Sequence, residues 1–210
     1  MIRVVKIGGS LANDASLPAW LDLLCDSGGG RVVVVPGGGP FADQARRSQL
    51  RWKFDDVAAH NMAVLAMAQY AFLLGGLCAR LVAVRDENAI RSVARDGKVA
   101  LWIPVALLRS QPDELTTWSV TADSLAAWLA TRLRADHLVL VKSCTIPSNG
   151  SLDRCASMGI VDASFAQFVR DAPYSVRLLH KSALGTMHRL LVDDATTAIS
   201  PRDANDVPSS

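Results

Sequence analysis

A lysine and two glycine-rich stretches carry the chemistry legible in this chain. Val5-Lys6-Ile7-Gly8-Gly9-Ser10 places a lysine near the end of an apolar run and two glycines just beyond it. Glycines there let backbone N–H groups approach an anion with no Cβ in the way, and the lysine adds a point charge. Phosphate oxygens are the natural occupant. The order is not that of the GxxxxGK loop followed by Ser or Thr, because here the lysine comes first. Gly37-Gly38-Gly39 follows four consecutive valines, with Pro40 where a helix would begin. A glycine turn feeding a helix N-terminus aims several N–H donors and a positive dipole end at one spot. Its spacing is not the dinucleotide fingerprint GxGxxG. The third feature is Ser119-Val120-Thr121-Ala122-Asp123-Ser124. Thr121 suits an N-cap, and Asp123 falls in a first helical turn, where a carboxylate is favoured; capping alone would account for both.

Other polar residues offer less. Asp43, Arg46 and Arg47 lie on the first turns after the triple glycine, where a solvated surface is the simpler reading. His60 and Asn61 interrupt a long apolar stretch. His60 suits a satisfied core histidine, or a residue facing a substrate pocket together with Asn61. His137, His180 and His188 show no metal-ligand spacing, so no metal site is expected. Trp118 suits core packing or a pocket wall.

These residues need a scaffold, and composition bounds it. The chain has 210 residues, half of them apolar, which is enough for one large core. Lys plus Arg is 22 and Asp plus Glu is 20, a formal charge of +2. That balance argues against a nucleic-acid-coating protein, and no basic–aromatic stripe appears. Only five of the basic residues are lysines, so one inside an apolar strand stands out. Cys25, Cys78, Cys144 and Cys155 are scattered, and they read as reduced intracellular thiols. No secretory signal opens the chain, so a cytoplasmic location is expected. Residues 57–79 lack Asp, Glu, Lys and Arg over a length that could span a bilayer, but polar and glycine interruptions favour a helix buried in a layered domain.

Strands are expected at 3–7, 31–35, 81–84, 99–103, 138–141, 176–179 and 196–199. Helices are expected at 16–25, 41–50, 55–74, 86–94, 122–133 and 162–169, with irregular loops at 111–114 and 144–154. Strands alternating with helices predict an α/β fold with a mainly parallel sheet. The phosphate-type loops follow strand ends, where open α/β sheets bind ligands. One domain over 1–200 is expected, followed by a flexible tail at 201–210.

Strand–Lys–x–Gly–Gly–Ser, strand–Gly–Gly–Gly about thirty residues on, and Thr-Ala-Asp-Ser-Leu-Ala-Ala opening a late helix together resemble the amino acid kinase superfamily, over about residues 2–200. The resemblance implies a three-layer αβα sandwich and an ATP-dependent phosphoryl transfer with Mg²⁺ on the nucleotide. Lys6 then matches the lysine that neutralises the transferred group. Gly8, Gly9 and Ser10 match the first phosphate-binding loop, and Gly37, Gly38 and Gly39 the loop holding the acceptor. Asp123 matches the aspartate that organises the catalytic lysines. Asp43, His60 and Thr121 become candidates for the acceptor pocket. A second catalytic lysine has two candidates, Lys142 and Lys181. Lys142, at a strand's end, is the better placed, and it joins the ATP-binding set. The segment Lys142-Ser143-Cys144-Thr145-Ile146-Pro147 departs from the family's pattern at the nucleotide contacts.

The short chain and the run Pro-Gly-Gly-Gly-Pro-Phe-Ala-Asp resemble a compact subgroup associated with methanofuran-type cofactor biosynthesis and one-carbon metabolism. That resemblance implies a phosphomonoester acceptor such as [5-(aminomethyl)furan-3-yl]methyl phosphate, converted to its diphosphate. A carboxylate or carbamate kinase, and a non-catalytic nucleotide- or oxyanion-binding storage or sensor protein, remain alternatives. A homo-oligomer is expected, with no nucleic-acid or membrane partner.

Overall fold

The computed structural model describes residues 1–147 and 151–192. Six strands form a single sheet: β1 (Arg3–Ile7), β2 (Val32–Pro36), β3 (Leu81–Val84), β4 (Val99–Trp102), β5 (His137–Lys142) and β6 (Ser175–His180). Their order is β3-β4-β2-β1-β5-β6, and every pairing is parallel. Parallel strands need crossovers, and these are supplied mainly by α1 (Leu17–Ser27), α2 (Gly39–Trp52), α3 (Asp56–Leu77), α4 (Glu87–Arg95) and α5 (Ala122–Leu133). Three further helices follow: α6 (Leu152–Ser157), α7 (Phe165–Val169) and α8 (Leu184–Val192). Short 3-10 turns cover Gly9–Asn13 and Pro104–Leu107.

The central strands β1 and β2 are buried at every position, which is why they read as unbroken apolar runs and not as alternating ones. Alternate residues nevertheless choose opposite layers. Val4, Val35 and Leu140 pack with Ile90 of α4, Leu125 of α5 and Phe165 of α7. Val5, Val34 and Val139 pack with Trp20 of α1, Leu74 of α3 and Met187 of α8. Helices on both faces of a parallel sheet make the expected three-layer sandwich.

The apolar stretch at 57–79 forms α3, long and apolar enough to cross a membrane by length and composition. Its Tyr70, Ala71 and Leu74 lie wholly within the core, whereas Met62, Leu65 and Phe72 are exposed. The helix is therefore half-buried, not enclosed. Asp55 caps it by accepting from Ala58 N at 2.7 Å.

Several elements differ from expectation, the 3-10 turn at Pro104–Leu107 among them. The loop expected at 144–154 contains the start of α6, which Ser151 caps by accepting from Arg154 N. The helix expected at 162–169 shortens to 165–169. Helix α8 was unexpected; Gly185 in its first turn obscures the stripe of Leu184, Met187 and Leu191. The 3-10 turn at Gly9–Asn13 was also unforeseen. The strand expected at 196–199 and the tail at 201–210 lie outside the described residues.

Trp20 has no exposed surface, and its Nε1 donates to the Lys181 carbonyl at 2.7 Å, tying α1 to the end of β6. Trp20→Ala should cost about 3–5 kcal/mol of unfolding free energy, read from urea denaturation.

Candidate active site

Strand periodicity decides where the two interior lysines go. Lys6 lies two residues after Val4, and Lys142 two after Leu140, so both leave the sheet toward the layer that contains α5. Parallel pairing of β1 with β5, with Lys6 opposite Leu140, brings both lysines to the same edge of the sheet. Asp123, in the first turn of α5, lies between them. Its Oδ1 is 2.8 Å from Lys6 Nζ, and its Oδ2 accepts from Lys142 Nζ at 2.5 Å. Lys6 meets Oδ1 as an ion pair outside hydrogen-bond geometry, whereas Lys142 makes a true hydrogen bond. All three residues are buried.

Two cations and one carboxylate leave a surplus positive charge in a place poorly reached by water. Burial alone would raise the Asp123 pKa; the ammonium charges of Lys6 and Lys142 outweigh it and hold the carboxyl below its ordinary value. Burial lowers Lys142 to about 8, and repulsion from Lys6 adds to this, while Asp123 opposes both. Lys181, the other candidate second lysine, lies elsewhere. Its Nζ pairs with Asp14 Oδ2 at 2.5 Å, and this contact, first among several, pulls the Asp14 carboxyl well below the usual range.

The glycines serve a purpose that the motifs did not reveal. The loops after β1 and β2 touch through their backbones. A Cβ on Gly9 would lie 2.2 Å from Gly39 N, and one on Gly37 would lie 2.4 Å from Gly9 N. Gly8 is similarly confined by the Val141 carbonyl, which accepts its N–H at 3.0 Å. Gly39 adopts φ +56°, a left-handed conformation that favours glycine. Close packing of the two loops, as much as ligand approach, demands the missing side chains.

A cavity of about 370 Å³ opens beside these loops. Lys6, Gly9, Ser10, Gly38 and Gly39 form its polar end. Ala59, Ala63, Val64, Met67 and Leu125 supply apolar wall. Asp43, His60 and Thr121 also line it. Gly8, Gly37, Asp123 and Lys142 are not part of that lining; Lys142 is linked to it through Asp123 and Lys6. Among the described residues no group of three or more His, Cys, Asp or Glu could hold a metal ion.

Several side chains have partners that sequence did not suggest. His60 Nε2 donates to the Leu107 carbonyl at 2.9 Å, so the core reading and the pocket reading both apply. Asn61 instead clamps the Arg109 backbone, donating to its carbonyl and accepting from its N–H, each at 2.8 Å. Trp118 is a pocket wall; its Nε1 donates to Gln49 Oε1, and the Arg46 guanidinium lies 4.5 Å over its ring. Gln49 in turn donates to Asp56 at 2.8 Å. Thr121 occupies the N-cap position of α5 without capping it through its side chain; the hydroxyl donates to Asp162 instead. Neither Gln49 nor Asp162 belongs to a motif that sequence reading could flag.

Lysines and glycine loops gathered at the strand C-termini of an αβα sandwich define a protein able to hold an anion at one edge of its parallel sheet. The profile of the Amino acid kinase family matches residues 1–144, and the chain belongs to that family. It is 26% identical over 143 residues to the [5-(aminomethyl)furan-3-yl]methyl phosphate kinase of Methanocaldococcus jannaschii. That match covers 66% of this chain and 64% of the relative's length. The fold is shared with the uridylate kinase of Archaeoglobus fulgidus (TM-score 0.67, 16% identity, 93% of this chain and 97% of that one). The UMP kinase of Bacillus anthracis (TM-score 0.66, 16% identity, 92% of each chain) and an isopentenyl phosphate kinase (TM-score 0.56, 16% identity, 93% and 98%) share it too.

Gly9→Ala tests the interlocked loops. The new methyl group meets backbone and not a flexible side chain, so the loops must separate. Stability should fall by about 1–3 kcal/mol in a thermal melt.

Proposed function

We propose that this protein is an ATP-dependent kinase that phosphorylates a small phosphomonoester, best represented by [5-(aminomethyl)furan-3-yl]methyl phosphate, to give the diphosphate ester and ADP. The observation that carries this reading is the Lys6–Asp123–Lys142 group set against two interlocked glycine loops at the end of a partly apolar cavity. The name of the Methanocaldococcus relative supports the acceptor class. On this reading the protein acts as a single-domain cytoplasmic homo-oligomer in methanofuran-type cofactor biosynthesis.

Bringing two phosphates together is electrostatically costly, so the site must offer cations and N–H donors. Lys6 meets the transferred phosphoryl group, while the backbone N–H groups of Gly9 and Ser10 hold the ATP phosphates; the Gly8 N–H is committed to the Val141 carbonyl, and Lys142 acts on Lys6 through Asp123. Gly38, Gly39, Asp43, His60 and Thr121 hold the acceptor. An acceptor phosphate oxygen attacks the γ-phosphorus as the bond to the ADP oxygen breaks. That oxygen already bears charge, so the residues need not supply a general base. Asp123 keeps the two ammonium groups at fixed positions. Both Asp123 oxygens face lysines, so a Mg²⁺ would be held by the ATP phosphates and not by Asp123, and would supply charge neutralisation there.

Steady-state assays with the aminomethylfuran phosphomonoester and ATP should yield ADP and the diphosphate. An acyl phosphate trapped as its hydroxamate from a carboxylate panel, with no diphosphate formed, would replace this acceptor class by a carboxylate kinase. Nucleotide binding with no ADP over the whole panel would point to a storage or sensor protein. Lys6→Ala should lower kcat by about a hundredfold or more, the size of one lost transition-state charge contact.

The pH profile follows from Lys142. Its folded pKa is lowered to about 8, so the ammonium is present below that pH and lost above it. The kcat/KM for the free enzyme should therefore fall as pH rises through 8. Bound phosphates favour the charged form, so the same limb in kcat should lie at higher pH.

A further inference from the structure

Asp162 lies outside every motif, in the chain leading into α7, yet its carboxylate takes four donors from the first turn of α5. Its Oδ2 accepts from Thr121 N at 2.8 Å, Thr121 Oγ1 at 2.9 Å and Ser124 N at 3.0 Å. Its Oδ1 accepts from Ser124 Oγ at 2.5 Å. Ser124 N is the third-position amide that an N-cap side chain ordinarily satisfies. Here the cap comes from 38 residues away along the chain. A local cap would complete the helix end but leave it free to slide. A remote one fixes the helix end against the rest of the fold. A backbone bond from Ser164 N to Ser119 O at 3.0 Å reinforces the same junction.

Asp123 sits between the two clamped residues. We infer that Asp162 is a positioning residue for phosphoryl transfer: by gripping Thr121 and Ser124 it sets where Asp123 lies between Lys6 and Lys142. It touches neither lysine in the described structure, so its influence passes through α5. The inference rests on the kinase reading for its catalytic consequence and on geometry alone for its effect on the lysines. The groups acting on Lys142 are Asp123 from α5, Lys6 from β1 and Cys144 just after β5. Loosening α5 weakens the attraction to Asp123 while burial and Lys6 repulsion persist, so Lys142 should lose its proton at lower pH.

Asp162→Asn puts an amide donor among groups that are all donors. Titration of the lysine ε-carbons by ¹³C NMR reads Lys142 without any turnover, and its midpoint should fall below the wild-type value of about 8. In the assay, kcat should drop by roughly tenfold to a hundredfold, the size of a small misplacement of reacting groups, with KM for ATP little changed. Ser124→Ala retains the Asp162 charge and removes only one donor. It should shift both quantities in the same direction by less, which separates positioning from the loss of a nearby charge. It also serves if Asp162→Asn does not fold. A Lys142 midpoint and kcat equal to wild type in either folded variant would overturn the inference, even if the melting temperature falls. Wild-type protein that forms no ADP, with the midpoint shifts intact, would instead remove the kinase reading and leave the positioning role standing.

Discussion

A single carboxylate shared by two buried ammonium groups is the constraint on which this structure depends. Asp123 can neutralise only one of Lys6 and Lys142, so a positive charge persists in a place where water is scarce. Burying charge is tolerable only when it is paired and held. The sheet meets that need: β1 and β5 are adjacent, parallel and in register, so two lysines on separate strands emerge side by side. Helix α5 completes it by pointing its N-terminus, the positive end of its dipole, at the carboxylate.

The glycine loops solve a second problem at the same edge. The turns leaving β1 and β2 pass in backbone contact. Gly9 and Gly39 approach so nearly that no side chain fits between them. Chain flexibility is given up for proximity, because three consecutive glycines lose much conformational freedom when ordered. The Trp118–Gln49–Asp56 chain steadies the opposite wall, linking α2, the start of α3 and the segment before α5.

Much of this was legible from residues alone. Unbroken apolar runs marked β1, β2 and β5, and the position of Lys6 within one of them marked a lysine that the fold buries beside Asp123. Glycine punctuation located both loops, and Asp123 in a first turn was visible beside its capping neighbours. What could not be read was pairing across distance. The strand end favoured Lys142 over Lys181, but only the fold shows that one faces Asp123 and the other Asp14. Asp162 is equally silent, since a remote cap leaves no spacing signature. Thr121 looked like a self-sufficient cap because its residue type permits one. Asn61 looked like a pocket residue because polar groups on apolar helices invite that reading, but it serves a backbone clamp.

The surplus charge ties occupancy to folding. An empty site holds a mutual repulsion between ammonium groups that the protein must tolerate to exist, and any polyanion entering the cavity relieves it. Ligand affinity and conformational stability thus draw on the same electrostatic term, and mass action links the two. An anion bound beside Lys6 would thus raise the free energy of unfolding as well as fill the cavity.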